Sequence, residues 1–347
     1  MYISYIVNRF KEISELDPLE LDEDYLQLPQ INQNKDVVSL LQLLQKCKSG
    51  VKNCDLSNTS ICHAILRDIG FIISSLRRLD IQAVEKDLEL TNILLNISKT
   101  IGMVPRETSY HYGLCNPANS RIRTFTSYKD ELGLINGVKI FAEGLEKILL
   151  DLIEVKNLII NDRNADIILL DKTLSDFRKV LNDAGESMKQ IDPKIFSYEL
   201  RPFFDQININ NIAYVGPGGG QVPLLIIDNL LFGFNLPYNH VYRVFSEDGI
   251  KYLTPELKVL YQSQKTESTI VDVCNKHTNK SILTFLHEFL NELIRYRQVH
   301  YLIAKSALSK ENRGNYETGS AGYRLEMVQE TLSATKDAKR ILTEKTK

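Results

Sequence analysis

Apolar residues recur at helical spacing along almost the whole chain, and this periodicity limits the fold more than any other feature. Side chains three and four apart share a helix face, whereas a half-buried strand needs strict alternation. Ile61, Leu66, Ile69, Ile72, Ile73 and Leu76 form one such stripe. A second helix is predicted over 81–101, stopped by Gly102 with Pro105 just beyond. From about 132 to 160, Val138, Phe141, Leu145, Ile148, Leu149 and Leu152 make a broad apolar face, and 166–191 repeats that character. Pro193 opens a shorter helix towards Phe204, and further helices are expected over 223–231, 254–264, 279–308 and 322–343. The strand-like piece 211–215 is too isolated to seed a parallel sheet. The expected fold is all-α.

The periodicity breaks over 104–128, a stretch rich in Asn, Pro, Gly, Ser and Arg that reads as a linker or active-site loop. It divides the 347 residues into a small N-terminal helical domain, 1–115 with its linker running to about 128, and a large helical domain, 129–347. Forty-two basic residues face 44 acidic ones, a net charge of −2, so no basic field invites nucleic acid or an anionic membrane. Five cysteines without a C-x-x-C pair argue against a disulfide framework and a thiolate zinc site. The N-terminus lacks a signal-peptide pattern, and no uncharged apolar run approaches the roughly 18 residues of a membrane span. A cytoplasmic location is expected.

Four places carry candidate chemistry. On the predicted 279–308 helix, Leu286, Leu290, Leu293, Arg297, His300, Ala304 and Ala307 step by four and three, so all share one face. A guanidinium and an imidazole on an apolar face need partners. The commoner explanation is a satisfied core histidine and an arginine paired with a carboxylate. The other is that His300 ligates a haem iron while Arg297, one turn earlier, meets a propionate. Gly216-Pro-Gly-Gly-Gly-Gln221 before Pro223 is either a connector or a loop that lets backbone approach a ligand. It lacks the full G-x-G-x-x-G spacing and any Gly-Lys-Ser/Thr ending, which removes the dinucleotide and P-loop readings. Thr318-Gly-Ser-Ala-Gly322 is either a helix connection or a lid. Arg201, before Pro202, is either a surface residue or a bidentate partner for a substrate carboxylate. No H-E-x-x-H helix and no G-x-S-x-G elbow is present.

Taken in order, these pieces resemble the haem-dependent indoleamine/tryptophan 2,3-dioxygenase superfamily, particularly its monodechloroaminopyrrolnitrin synthase branch. The matching residues are Ile101-Gly-Met-Val-Pro105 leading to Tyr110, and Asp192-Pro-Lys-Ile-Phe196 through Leu200-Arg-Pro202. Then follow Gly216–Gln221, Tyr252-Leu-Thr-Pro255, Arg297-Gln-Val-His300 and Thr318–Gly322, so that the likeness spans roughly 95–340. The resemblance implies haem b, with His300 as proximal ligand and Arg297 as propionate partner. It implies Arg201 binding the carboxylate of an aromatic amino acid, Phe196 stacking on its ring, and Tyr110 walling the distal pocket. Gly218, Gly219 and Gly220 would form the distal loop, and Thr318 and Gly319 the mobile loop closing over the substrate. His111 is a conceivable distal histidine.

The chain departs from the dioxygenase pattern at Ser197, where a second aromatic is common, at Pro217 with its three glycines, and at Glu317. The implied activity is an oxygenase using O2 on L-tryptophan or a modified, for example halogenated, tryptophan, by ring cleavage or rearrangement. The alternatives are a haem-binding sensor or carrier on the same scaffold and a haem-free helical interaction protein.

Overall fold

The computed structural model describes residues 2–161, 167–218, 223–233, 240–265, 268–274, 279–312, 314, 316–320 and 322–344. The fold is all-α. Among the described residues the strands are two three-residue segments, Ile207–Ile209 and Ile212–Tyr214, paired antiparallel with Ile207 opposite Tyr214. The apolar piece at 211–215 therefore closes a small hairpin, turned by Asn210 and Asn211 at positive φ.

In the N-terminal half the Thr59–Arg78 helix is central, flanked by Val37–Val51 and Leu88–Ile101. Asn58 caps it, its side chain accepting from the Ser60 and Ile61 amides. This helix is apolar and long enough to cross a membrane, yet 83% of its most apolar window is buried inside the protein. The helix predicted over 81–101 divides at Asp87, which caps Leu88–Ile101; Gly102, at φ 66°, ends it.

In the C-terminal half Lys129–Ile160 packs on Ile167–Lys189, and Lys280–Ala307 lies between Ile167–Lys189 and Leu325–Glu344. Phe177 and Phe289 stack at 3.9 Å and lock two of these helices together. Gly144 sets the closest approach of another pair: a Cβ there would sit 2.3 Å from Val180 Cγ2.

The stretch 104–128, read as a linker or active-site loop, is buried over 104–117 and exposed at 118–120. Ser109–Tyr112 forms a short helix within the buried residues. Several of their polar groups are paired internally, although Glu107 Oε2 and the Tyr110 hydroxyl have no partner among the described residues. Arg106 donates to the Asp205 and Tyr214 carbonyls, each at 2.7 Å, and Asn116 bonds the backbone on both sides of Arg123. Buried apolar side chains from Phe10 to Leu342 form one cluster, so segments 1–115 and 129–347 share a core.

Candidate functional site

The apolar stripe of the Lys280–Ala307 helix divides by depth. Leu286, Leu290 and Leu293 lie in the core, whereas Arg297, His300, Ala304 and Ala307 line a cavity of about 280 Å³. The opposite wall carries Gly137, Val138 and Phe141 from Lys129–Ile160, with Tyr112, Phe196 and Gly218. Small residues at 137, 218 and 304 open this space between helices, and the polar groups in it are few.

His300 faces the cavity beside Tyr296, with ring centroids 6.1 Å apart and planes inclined by 17°. Burial, with help from the nearby Arg297 charge, lowers its pKa to about 4, so the imidazole is neutral at pH 7. Among the described residues neither of its ring nitrogens has a hydrogen-bond partner, and no three His, Cys, Asp or Glu side chains form a metal-ligand set. A neutral imidazole is one of the ligands by which proteins hold haem iron.

Arg297 is buried, as both alternatives require, and has a carboxylate partner, as the commoner of them expects. It is 3% exposed and pairs with the fully buried Asp228, while Thr335 Oγ1 accepts from its Nη1. Tyr242 donates its hydroxyl to the same Asp228 oxygen. Burial raises the Asp228 carboxyl and the Arg297 charge opposes this; Asp228 in turn holds Arg297 protonated against burial. Yet Arg297 Nε and Asp228 Oδ1 have no partner among the described residues. A guanidinium nitrogen without an acceptor at a cavity wall suits the carboxylate of a bound group. The donor set thus fits a haem: one neutral imidazole, an apolar wall, and a cation one turn away.

The other predicted residues divide. Phe196, Gly218 and Gly319 line the cavity. The Gly218 carbonyl accepts from Ser109 Oγ at 3.3 Å, while Gly219 and Gly220 lie outside the described residues. Phe196 begins a π-helical turn to Leu200, followed by a 3-10 turn from Arg201 to Phe204, where one continuous helix was expected. Such a π-helical turn, wider than the α-helix, is frequent at functional sites.

Arg201 is 5% exposed but does not line the cavity. Thr318 lies against it, its carbonyl accepting from Nε at 3.3 Å and its hydroxyl from Nη2 at 3.4 Å. Tyr110 is also outside the cavity: it packs on Phe10 at 5.3 Å, and its hydroxyl has no partner among the described residues. Tyr112, two residues on, is the ring at the cavity wall. It donates to the buried Glu131 carboxyl at 3.2 Å; burial pushes that group up to about 7, against the pull of the Thr126 and Phe125 donors. His111 lies away from the cavity, its Nε2 3.1 Å from His63 Nδ1 and its Nδ1 accepting from the Thr108 amide. Burial lowers its pKa to about 3, so this is a neutral core pair.

Sequence reasoning passed over Tyr112, Asp228, Tyr242 and Arg324, all at the cavity. Asp228 carried a signal: one acid inside Leu224-Leu-Ile-Ile-Asp-Asn-Leu-Leu231, the counter-charge that a buried Arg297 demands.

An all-α chain whose long C-terminal helix turns one neutral imidazole into an apolar cavity points to the helical oxygenases. The sequence pattern of the family described as monodechloroaminopyrrolnitrin synthase PrnB matches residues 3–313, and the chain belongs to that family. Membership makes it, in general terms, an enzyme of the oxygenase type that modifies tryptophan. The match begins at residue 3, so the N-terminal helices belong to the family pattern although the motif resemblance started near 95. It stops at 313, short of the Thr318 loop.

Proposed function

We propose that this protein is a cytoplasmic, haem-dependent oxygenase acting on L-tryptophan or a ring-modified tryptophan, with haem b held by His300. The observation that carries the reading is the neutral, unbonded His300 imidazole on an apolar cavity wall. Haem, when bound, supplies binding and activation of O2, chemistry beyond any side chain here. His300 would provide the nitrogen that holds the iron, and the Nε of Arg297, without a partner among the described residues, would meet a propionate. The Asp228–Tyr242–Thr335 cluster would keep that guanidinium oriented.

On the substrate side, Phe196 would stack against the indole and Arg201 would take the carboxylate once Thr318 yields its nitrogens. Holding both ends of the substrate converts a bimolecular encounter into a positioned one. Gly218 contributes backbone alone, and Gly319 lies where the loop closes the cavity. The apolar wall excludes water from the indole. Five cysteines without a disulfide fit a reducing compartment.

Haem reconstitution of wild type and His300→Ala, followed by visible spectroscopy during titration with L-tryptophan, tests the assignment. Wild type should give a Soret band that shifts with L-tryptophan, and His300→Ala, with unchanged far-UV circular dichroism, should lose it. An intact Soret band in the variant would remove His300 as ligand. Haem uptake with a spectrum indifferent to every indole amino acid would favour the carrier alternative.

A further inference from the structure

Arg201 is held from one side by a closed triangle of side chains. Its Nη1 donates to Asp205 Oδ1 at 2.8 Å, and the Tyr316 ring lies against its guanidinium, 4.3 Å from centroid to Cζ. Tyr316 completes the figure by donating its hydroxyl to Asp205 Oδ2 at 3.1 Å. The mount is fixed, since the Asp205 carbonyl accepts from the fully buried Arg106 at 2.7 Å. Burial, reinforced by Asp205, pushes the Tyr316 hydroxyl up to about 12, so it remains a donor at every working pH.

Among the described residues, the opposite edge of the guanidinium, Nε and Nη2, carries the long neutral contacts to Thr318 at 3.3 and 3.4 Å and no others. Thr318 runs directly into Gly319 and Ser320, which line the cavity. A carboxylate needs two parallel N–H groups on one edge. The Nη1 side is already committed to a charged partner. The Nε–Nη2 side is held by weaker acceptors and faces the cavity loop.

We propose that Asp205 and Tyr316 are positioning residues: they fix the guanidinium so that its Nε–Nη2 edge is presented to the carboxylate of an amino-acid substrate. The inference rests on Arg201 being the carboxylate anchor. An arginine without this brace would have to be ordered by each substrate molecule, at a cost to affinity. The effect belongs to the carboxylate alone, which gives the test its control.

Haem-reconstituted wild type, Arg201→Ala, Asp205→Asn and Tyr316→Phe are titrated with L-tryptophan and with tryptamine, which keeps the ring and ammonium but lacks the carboxylate. Asp205→Asn should weaken L-tryptophan by about five- to tenfold and Tyr316→Phe by about threefold, with tryptamine unchanged. Weakening of both ligands alike would mean a merely structural role and overturn the proposal. Tighter L-tryptophan binding in Asp205→Asn would also overturn it, making Asp205 a competitor for the anchor. If Arg201→Ala itself leaves the ratio of the two affinities untouched, the anchor falls and the inference with it.

Discussion

Replacing Asp228 by leucine leaves the Arg297 guanidinium charged and buried with its counter-charge gone. The two side chains are 0% and 3% exposed, so water cannot take over the lost interaction. Thr335 still accepts from Nη1, but Nη2 loses its acceptor, Nε already lacks one, and Tyr242 loses the oxygen to which it donated. Stranding one member of a buried pair costs about 3–5 kcal/mol. The double variant Asp228→Leu with Arg297→Met removes both charges at similar volume. It should recover most of that loss and fall between neutral and about 4 kcal/mol more stable than wild type. Urea unfolding of the haem-free protein, followed by circular dichroism and tyrosine fluorescence, measures both, with coincident curves required before a free energy is assigned. A single variant within about 1 kcal/mol of wild type would refute the reasoning, as would a double variant no better than the single.

Two further changes have outcomes fixed by geometry. Gly144→Ala drives a methyl to within 2.3 Å of Val180 Cγ2, so Lys129–Ile160 and Ile167–Lys189 must separate; the expected cost is about 1–3 kcal/mol in urea unfolding, despite the better helix propensity of alanine. Glu146 is fully buried with neither carboxyl oxygen partnered among the described residues, and burial raises its pKa from 4.5 to about 8. The folded protein then holds a proton that the unfolded chain releases above about pH 4.5, so stability from this group is complete below that value and lost as pH rises through about 8. Glu146→Gln should leave stability near pH 4.5 unchanged and raise it by about 2–3 kcal/mol at pH 7, and an equal effect at both pH values would refute the assignment.

The fold was legible because a helix writes its period into the chain: Lys129–Ile160, Ile167–Lys189 and Lys280–Ala307 fall within a few residues of their sequence-based bounds. The stretch 104–128 misled because Pro, Gly and Asn mark irregular backbone without saying whether it is buried. Glu131 and Asn116 satisfy the backbone at Arg123, Phe125 and Thr126 from nearby in the chain, while Arg106 reaches the distant carbonyls of Asp205 and Tyr214; neither kind of pairing follows a helical or strand period. The site was half legible. His300 and Arg297 stood out because charge on an apolar face must be compensated, and Phe196, Gly218 and Gly319 came from the ordered motifs. Tyr110 and Tyr112 sit two apart in a short helical turn, where spacing alone cannot choose the inward ring. Asp205 and Tyr316 escaped notice because their meaning depends on Arg201, and Tyr316 reaches it across 115 residues of chain.

The two arginines are held in opposite ways, and the difference suits the roles proposed for each. Arg297 is bound by a fully buried carboxylate from another helix and a threonine from a third, and its Nε has no partner among the described residues. A resident group needs such permanence, since any exchange of partners there would expose a buried charge. Arg201 is braced on one edge by Asp205 and Tyr316 and covered on the other by long, neutral contacts to a loop. A ligand that arrives and leaves in every turnover needs an edge whose occupants yield cheaply while the rest of the guanidinium stays still. Strong contacts to Thr318 would hold the loop shut against substrate, and no contacts would leave a buried cation bare between turnovers. The weak pair at 3.3 and 3.4 Å lies between those failures, so that on the proposed reading the Thr318 loop, which continues into the cavity wall at Gly319 and Ser320, is the part free to respond to a carboxylate at Arg201.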